Sequence, residues 1–250
     1  MKPVVCAVGT TEPWGAAGLT LDLRVLHDLG AHPLCVVTAV SAQHAGGVRG
    51  LFALPLEAVR AQFDALADAP LDALRVGALP TIAIARECAA RLAAAGKPAV
   101  YDPALAASGG GALANDDPAS IVWSVLAHAT VVTPNVHEAG VLLGRSVRDV
   151  AGMRAAAAEL VARGARAALV KGGHLAGTAV DVLCDERGLH EFAAPRLDLE
   201  LRGTGCLLAD ALAVALARGM TLREAVAAAR AYVRNKLEDG ITLGGMRLAD

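Results

Sequence analysis

Short β-branched runs alternate along this chain with longer segments of helical spacing, and nearly every run stops at glycine or at a polar residue. Val4 to Val8 reads as a buried strand ending in Gly-Thr-Thr-Glu-Pro, followed by a helix from Leu19 to Leu29 that Gly30 stops. Leu34 to Val40, Ala73 to Val76, Ala99 to Tyr101, Val131 to Thr133 and Ala167 to Val170 repeat the strand pattern. Helical spacing separates several of them, at Leu56 to Leu66, Thr81 to Ala95 and Val147 to Arg163. Buried strands that alternate with helices must be covered on both faces, which predicts a mostly parallel central sheet flanked by helices. Ala179 to Cys184 and Leu189 to Phe192, with Asp185 to Gly188 between them, add a C-terminal antiparallel hairpin. Two helices, about Gly205 to Arg218 and Leu222 to Leu237, close the chain.

The 250 residues show no linker or repeat, so a single domain over 1–250 is expected. A formal net charge of −2 gives no footprint for nucleic acid or an anionic membrane, and no apolar run is long enough to span a bilayer. Cys6, Cys35, Cys88, Cys184 and Cys206 are odd in number and form no C-x-x-C pair, which speaks against a disulfide framework or a zinc ribbon. These features, with an N-terminal apolar run too short for a signal peptide, lead us to expect a cytoplasmic protein.

The residues just past the strands carry the functional information. Thr10 to Glu12, Ser41 to His44, Asp102, Thr133 to Glu138 and Lys171 to His174 all follow strand-like runs. Open α/β sheets bind ligands outside the carboxyl ends of their strands, so these segments are expected to line one cleft. There is no G-x-x-x-x-G-K-[ST] and no G-x-G-x-x-G after the first strand, which disfavours P-loop and dinucleotide chemistry. Late in the chain, Arg202 to Asp210 reads RGTGCLLAD, a glycine turn leading into an apolar helix. Free backbone amides at such a helix start make an oxyanion site. Cys206 stands at its entrance, where a lowered thiol pKa is expected; the alternative is a small buried apolar side chain.

GTGC before a long C-terminal helix resembles the ribokinase-like superfamily, in which the turn usually reads GTGD and the Asp is the catalytic base. The cysteine form resembles the hydroxymethylpyrimidine/phosphomethylpyrimidine kinases of thiamine biosynthesis. GTTEPWGAAGLTLDL, VVTAVSAQHAGGV, VYDPALAASGG, VVTPNVHEAGVLLG and LVKGGHL follow that family's motifs in order and spacing. The resemblance implies a ribokinase-like α/β fold, ATP and Mg²⁺ as cofactors, a small-molecule pyrimidine substrate and a homodimer. It implies that Gln43 and Asp22 hydrogen-bond the aminopyrimidine, with Gly9 and the backbone near Ser41 lining the pocket. Asp102 and Glu138 would act around Mg²⁺ and the ATP phosphates. Asn135, Lys171 and Thr204 would contact nucleotide phosphates. The amides of Gly203, Gly205 and Cys206 would form the anion hole, with Cys206 as base. Read without the resemblance, Asp102 could be a turn former and Lys171 a surface charge.

The family phosphorylates an alcohol and then the phosphate it has just made. A carboxylate base would repel the second acceptor by about 4 kcal/mol at 4 Å and an effective dielectric near 20. A thiol can stay neutral for that step, and the helix terminus is expected to keep a thiolate accessible for the first. The chain also departs from the family. Its first loop carries an extra residue, Thr11 or Glu12 in place of Asp, Ala16 in place of Gly, and a bulky Trp14. The loop lysine is missing from Ala106-Ala107-Ser108-Gly109, Leu207-Leu208-Ala209 replaces Thr-Leu-Ser, and Arg202 stands where His is usual and could replace a lost charge. Other readings are a pyridoxine or pyridoxal kinase, and a pyrimidine-binding homologue without turnover.

Overall fold

Period-two alternation in the first strand separates the layers. In β1 (Val4–Thr11), Cys6 and Val8 pack into one apolar cluster while Val5 and Ala7 pack into another on the opposite face. All four are 0–1% exposed, so this strand is covered on both sides as parallel strands are. The computed structural model describes residues 2–107, 109–173, 175 and 177–249. His174 and Ser108, which the sequence places in the Lys171 and Ala106 segments, lie outside the described residues.

The remaining elements, in chain order, are α1 (Gly18–Asp28), β2 (His32–His44), β3 (Gly47–Ala53), α2 (Leu56–Ala65), β4 (Ala73–Val76), α3 (Ile82–Ala95) and β5 (Ala99–Tyr101). Then come α4 (Pro118–Val125), β6 (Val131–Val132), α5 (Val136–Leu143), α6 (Val150–Ala162) and β7 (Ala168–Lys171). The chain continues through β8 (Ala179–Asp185), β9 (Gly188–Ala194), α7 (Thr204–Ala217), α8 (Leu222–Asp239), β10 (Ile241–Leu243) and β11 (Met246–Leu248). The main sheet runs β3-β2-β1-β4-β5-β6-β7-β8-β9. Strands β2, β1, β4, β5, β6 and β7 are parallel, and antiparallel β3 closes one edge while β8 and β9 close the other. Helices α2 to α6 supply one core cluster and α1, α7 and α8 the other, so the α/β architecture is the expected one, with the β8–β9 hairpin in place.

Several elements differ from the sequence reading, each for a local reason. Ser41 to His44 does not follow a strand end. It continues β2 and turns back into β3, with a bulge between Ala42 and Gln43. Its Gly46-Gly47 turn and Gly50 mask the strand pattern, because glycine reads as loop. Helix α5 was hidden by its own cap. Asn135 Oδ1 accepts from the amides of His137 and Glu138, and Glu138 accepts from the Asn135 amide, a reciprocal capping box. Helix α4 begins on Asp117, whose carboxylate accepts from the Ser120 amide. The small β10–β11 ribbon is another element that the sequence pattern did not reveal.

Helix α7 passes through the middle of this arrangement, with every residue from Leu207 to Leu216 buried. Apart from Asp210 these residues are apolar on every side of the helix, which is therefore fixed by packing rather than by amphipathicity. Leu212 is 0% exposed. Leu212→Ala is expected to lower the unfolding free energy by about 2–5 kcal/mol, seen as a lower urea midpoint at unchanged denaturant slope.

Candidate active site

Four strand ends and one helix start meet at the cleft. Asp102 follows β5, Thr133 follows β6, Lys171 ends β7, and the amide of Gly77, just past β4, bonds to Val8 in β1. Asp102 is 3% exposed; its Oδ1 lies 2.6 Å from Lys171 Nζ and 3.1 Å from Thr133 Oγ1. Burial alone would raise the Asp102 pKa, but Lys171 and then Arg75 outweigh it and hold it below the usual carboxylate range. Lys171 is held above its ordinary value, since Asp102 and Glu138 outweigh its own burial. Glu138, 6% exposed, is pushed up to about 7 by burial and by Asp102, against the pull of Lys171.

The GTGC turn sits directly on this group. Gly203 caps α7 in the left-handed region at φ 77°, with no side-chain cap on the helix. A Cβ at Gly203 would overlap the Ala16 carbonyl oxygen and lie 2.5 Å from Leu21 Cδ2. A Cβ at Gly205 would lie 3.2 Å from Lys171 Nζ and 3.3 Å from Asp102 Oδ2. Leu207 is the residue whose amide closes the first helical bond, to the Gly203 carbonyl. The amides of Thr204, Gly205 and Cys206 therefore have no partner inside the helix and open beside the lysine, an arrangement made for anionic oxygen.

Beneath the turn lies a charge cluster that sequence reasoning missed. Arg75, in β4, is 1% exposed. Its guanidinium nitrogens lie 3.0 Å from Asp22, 3.4 Å from Asp210 and 3.7 Å from Asp102. The available signal was a charged residue inside a four-residue buried strand, and Asp210 placed one helical turn after Cys206. Asp22, expected at the pyrimidine, is 0% exposed. Burial raises its pKa to about 6, against the pull of Arg75. Asp210, also 0% exposed, is held well above the carboxylate range by burial and by Asp22, despite Arg75. Arg75 and the largely buried Lys171 thus face four carboxyl groups, and Asp210 holds its proton more tightly than a free carboxylate does.

Cys206 corrects one expectation. Its thiol pKa is not lowered by the helix start. Burial pushes it up to about 12, Arg75 opposes, and Asp22, Asp102 and Asp210 push it further up. Cys206 as a residue is half-buried.

The expected pyrimidine side is partly assembled. Gln43 shares an open hollow of about 390 Å³ with Pro13, Trp14, Ala42, His44, Ala45 and Arg49. Gly9 sits at the β1 irregularity facing Gly77, and Ser41 is 0% exposed with its hydroxyl unpartnered. Glu12 organises the altered first loop, its carboxylate accepting from the amides of Trp14, Ala16 and Ala17. Arg202 donates to the carbonyls of His44 and Ala45 at the β2–β3 turn, and the Val48 amide donates to Gly110 O at 3.0 Å. Asn135 is bound into the α5 cap, and its neighbour Pro134 accepts from the Lys171 amide at 2.8 Å. Thr204 is the first residue of α7.

Asp102 and Glu138 fit a magnesium ion. Asp102 repels a charge on Glu138, a repulsion that a cation would relieve, and among the described residues no third His, Cys, Asp or Glu completes a protein cage. Mg²⁺ commonly takes one or two carboxylates, with substrate phosphates and water completing its shell.

Known proteins resemble this chain over nearly its whole length. The family model for phosphomethylpyrimidine kinase matches residues 12–249. A Streptomyces coelicolor protein named hydroxymethylpyrimidine/phosphomethylpyrimidine kinase is 43% identical over 246 residues, covering 97% of this chain and 91% of that one. Among solved structures, an ADP complex of Bacillus subtilis pyridoxal kinase superposes with a TM-score of 0.91 at 25% identity, covering 100% of this chain and 97% of that one. A phosphomethylpyrimidine kinase from Clostridium difficile gives 0.81 at 26% identity, covering 94% and 99%.

Two outcomes follow from the geometry. Gly203→Ala forces a side chain into the left-handed region and into Ala16, and is expected to cost more than about 2 kcal/mol in thermal unfolding. Glu138 holds a proton more tightly folded than unfolded, so its stabilisation is complete below about pH 4.5 and is lost as pH rises through about 7. Glu138→Gln, in chelator-treated protein, should therefore flatten part of the fall in unfolding free energy between about pH 5 and about pH 8, measured by denaturant titration.

Proposed function

Because this chain belongs to the phosphomethylpyrimidine kinase family, we propose that it transfers the γ-phosphoryl group of ATP to 4-amino-5-hydroxymethyl-2-methylpyrimidine and then to the resulting monophosphate, for thiamine biosynthesis. The observation that carries this reading is the glycine turn with its free amides lying on the Lys171–Asp102 pair. Phosphoryl transfer needs positioning and charge stabilisation more than covalent help from the protein. The amides at Gly203, Gly205 and Cys206 cradle the transferring group. Lys171, Thr204 and Asn135 hold the nucleotide phosphates. Asp102 and Glu138 hold Mg²⁺, which neutralises charge on the phosphate oxygens when bound. Gln43, able to donate and accept, reads the aminopyrimidine edge beside Gly9 and the Ser41 backbone.

Cys206 faces the acceptor as a neutral thiol. That suits the second transfer, in which the acceptor is already an anion and a carboxylate at this position would repel it. The first loop, with Trp14 beside Gln43, shapes the ring pocket differently from the family pattern. A homodimer is part of the proposal, supported by the exposed cross-strand pair Val40 and Phe52 at the β3 edge of the sheet. A cytoplasmic location is supported by five free thiols; no helix among the described residues is long and apolar enough to cross a membrane. The likeness to pyridoxal kinase supports a second reading, phosphorylation of pyridoxal.

The test is ADP release from ATP and Mg²⁺ with hydroxymethylpyrimidine, its monophosphate and pyridoxal in parallel. Turnover of both pyrimidines is expected; pyridoxal alone would establish the second reading, and no turnover with any acceptor would refute both. Cys206→Ala should impair the first transfer much more than the second, whereas Cys206→Asp should harm the second most.

A further inference from the structure

The altered first loop is built around one aromatic ring. Trp14 is 38% exposed and lines the hollow that also holds Gln43. Two separate contacts fix it there. The buried Glu12 carboxylate accepts from the Trp14 amide at 2.8 Å and from the Ala16 amide at 2.6 Å, so one anchor holds the backbone around the indole. The ring edge lies against the β10–β11 turn, where a Cβ on Gly244 would stand 2.7 Å from Trp14 Cη2 and 2.8 Å from Cζ3. Gly244 takes a φ of 57°, and Ala16 clusters with Met246 and Leu248 of the same ribbon. A tryptophan held at both its amide and its ring edge has little freedom left to lose when a ligand arrives. Polar side chains join it from the β2–β3 bulge. That bulge leaves Arg49 between the pairs Gln43–Val48 and Ala42–Gly50, and Gln43 and Arg49 both line the hollow. The segments on either side rest on the glycine turn of the site. The Ala16 carbonyl closes on Gly203, and Arg202, the residue before it, donates to the carbonyls of His44 and Ala45.

We infer that Trp14 is a specificity-determining residue of the acceptor site, its indole stacking on a flat nitrogen heteroaromatic ring whose edge Gln43 hydrogen-bonds. The inference deepens the kinase reading above and rests on it for the identity of the acceptor. An indole offers a rigid π face at small cost in side-chain freedom, and aromatic rings gain from stacking on it beyond the area they bury. A puckered sugar alcohol of similar size presents no such face and forgoes that gain. The Gln43 amide, which both donates and accepts, then reads the polar edge that a ring nitrogen and an amino group present. Glu12 and Gly244 act through Trp14 and are positioning residues, one holding its backbone and the other leaving room for its ring.

The experiment reads binding and turnover separately. Trp14 and Trp123 are the two tryptophans of the chain, and Trp123 lies on α4 against the core, with Arg163 5.8 Å over its ring. Trp123→Phe therefore leaves Trp14 as the one indole, at wild-type turnover. In that variant, without ATP, hydroxymethylpyrimidine should quench the tryptophan emission saturably and ribose should not. In kinetics, Trp14→Ala should raise KM for the pyrimidine alcohol about tenfold, with kcat and KM for ATP near wild type. Trp14→Phe keeps an aromatic face and should recover most of that loss. Absence of quenching, an unchanged acceptor KM in Trp14→Ala, or an equal rise in KM for ATP overturns the inference. If Trp14→Ala does not fold, the quenching titration and Trp14→Phe decide it. Wild-type protein that releases no ADP with any acceptor removes the kinase reading, which is a separate result. The titration with the pyrimidine still decides the stacking in that case, saturable quenching upholding it and no quenching overturning it.

Discussion

One buried guanidinium organises the functional half of this molecule. Arg75 emerges from the central strand β4 with no route to solvent, and three aspartates from different parts of the chain meet it. A charge in such a place is costly to desolvate, and removing one partner from a buried pair typically costs about 3–5 kcal/mol. The cluster therefore ties α1, the β5 end and α7 to the sheet at one point. It also fixes the electrostatics of the cleft above it. Burial, together with the excess of carboxyl groups over cations, raises the proton affinity of Asp210 and of the neighbouring thiol.

The layered architecture was legible because it depends on patterns that sequence carries directly. Val5 and Ala7 alternate with Cys6 and Val8 through β1 between two cores, and glycine or proline marks most strand ends. What was not legible depends on pairing over distance. The β3 strand contains too many glycines to announce itself, and exists because β2 runs past its expected end and offers an antiparallel partner. Helix α5 starts with Asn135 and Glu138, whose types fit either a cap or a ligand, and the fold uses them at least as the cap.

Within the site, the residue types at the strand ends could be read one by one, and Asp102, Thr133, Lys171 and the GTGC turn do meet. Proton affinities could not. The expectation of an acidic thiol came from the helix start alone; burial reverses it, and three aspartates brought close by the fold add to the reversal. Two of them, Asp22 and Asp102, are 184 and 104 residues away from Cys206 along the chain. No local window contains that information. Arg75 is the partial exception, since a cation in a buried strand needs explaining whatever surrounds it.

The rim of the cleft behaves as one mechanical piece. The β2–β3 turn is bound to Arg202, immediately before the glycine turn, and the next residues of β3 are bound to the Gly110 carbonyl. Three segments far apart in sequence therefore share their tethers. Opening this edge far enough to exchange a ligand means releasing those bonds together, so access would be governed by one cooperative step instead of three independent loop motions. A substitution in any one segment would then change how quickly ligands enter and leave without touching the groups that perform the chemistry.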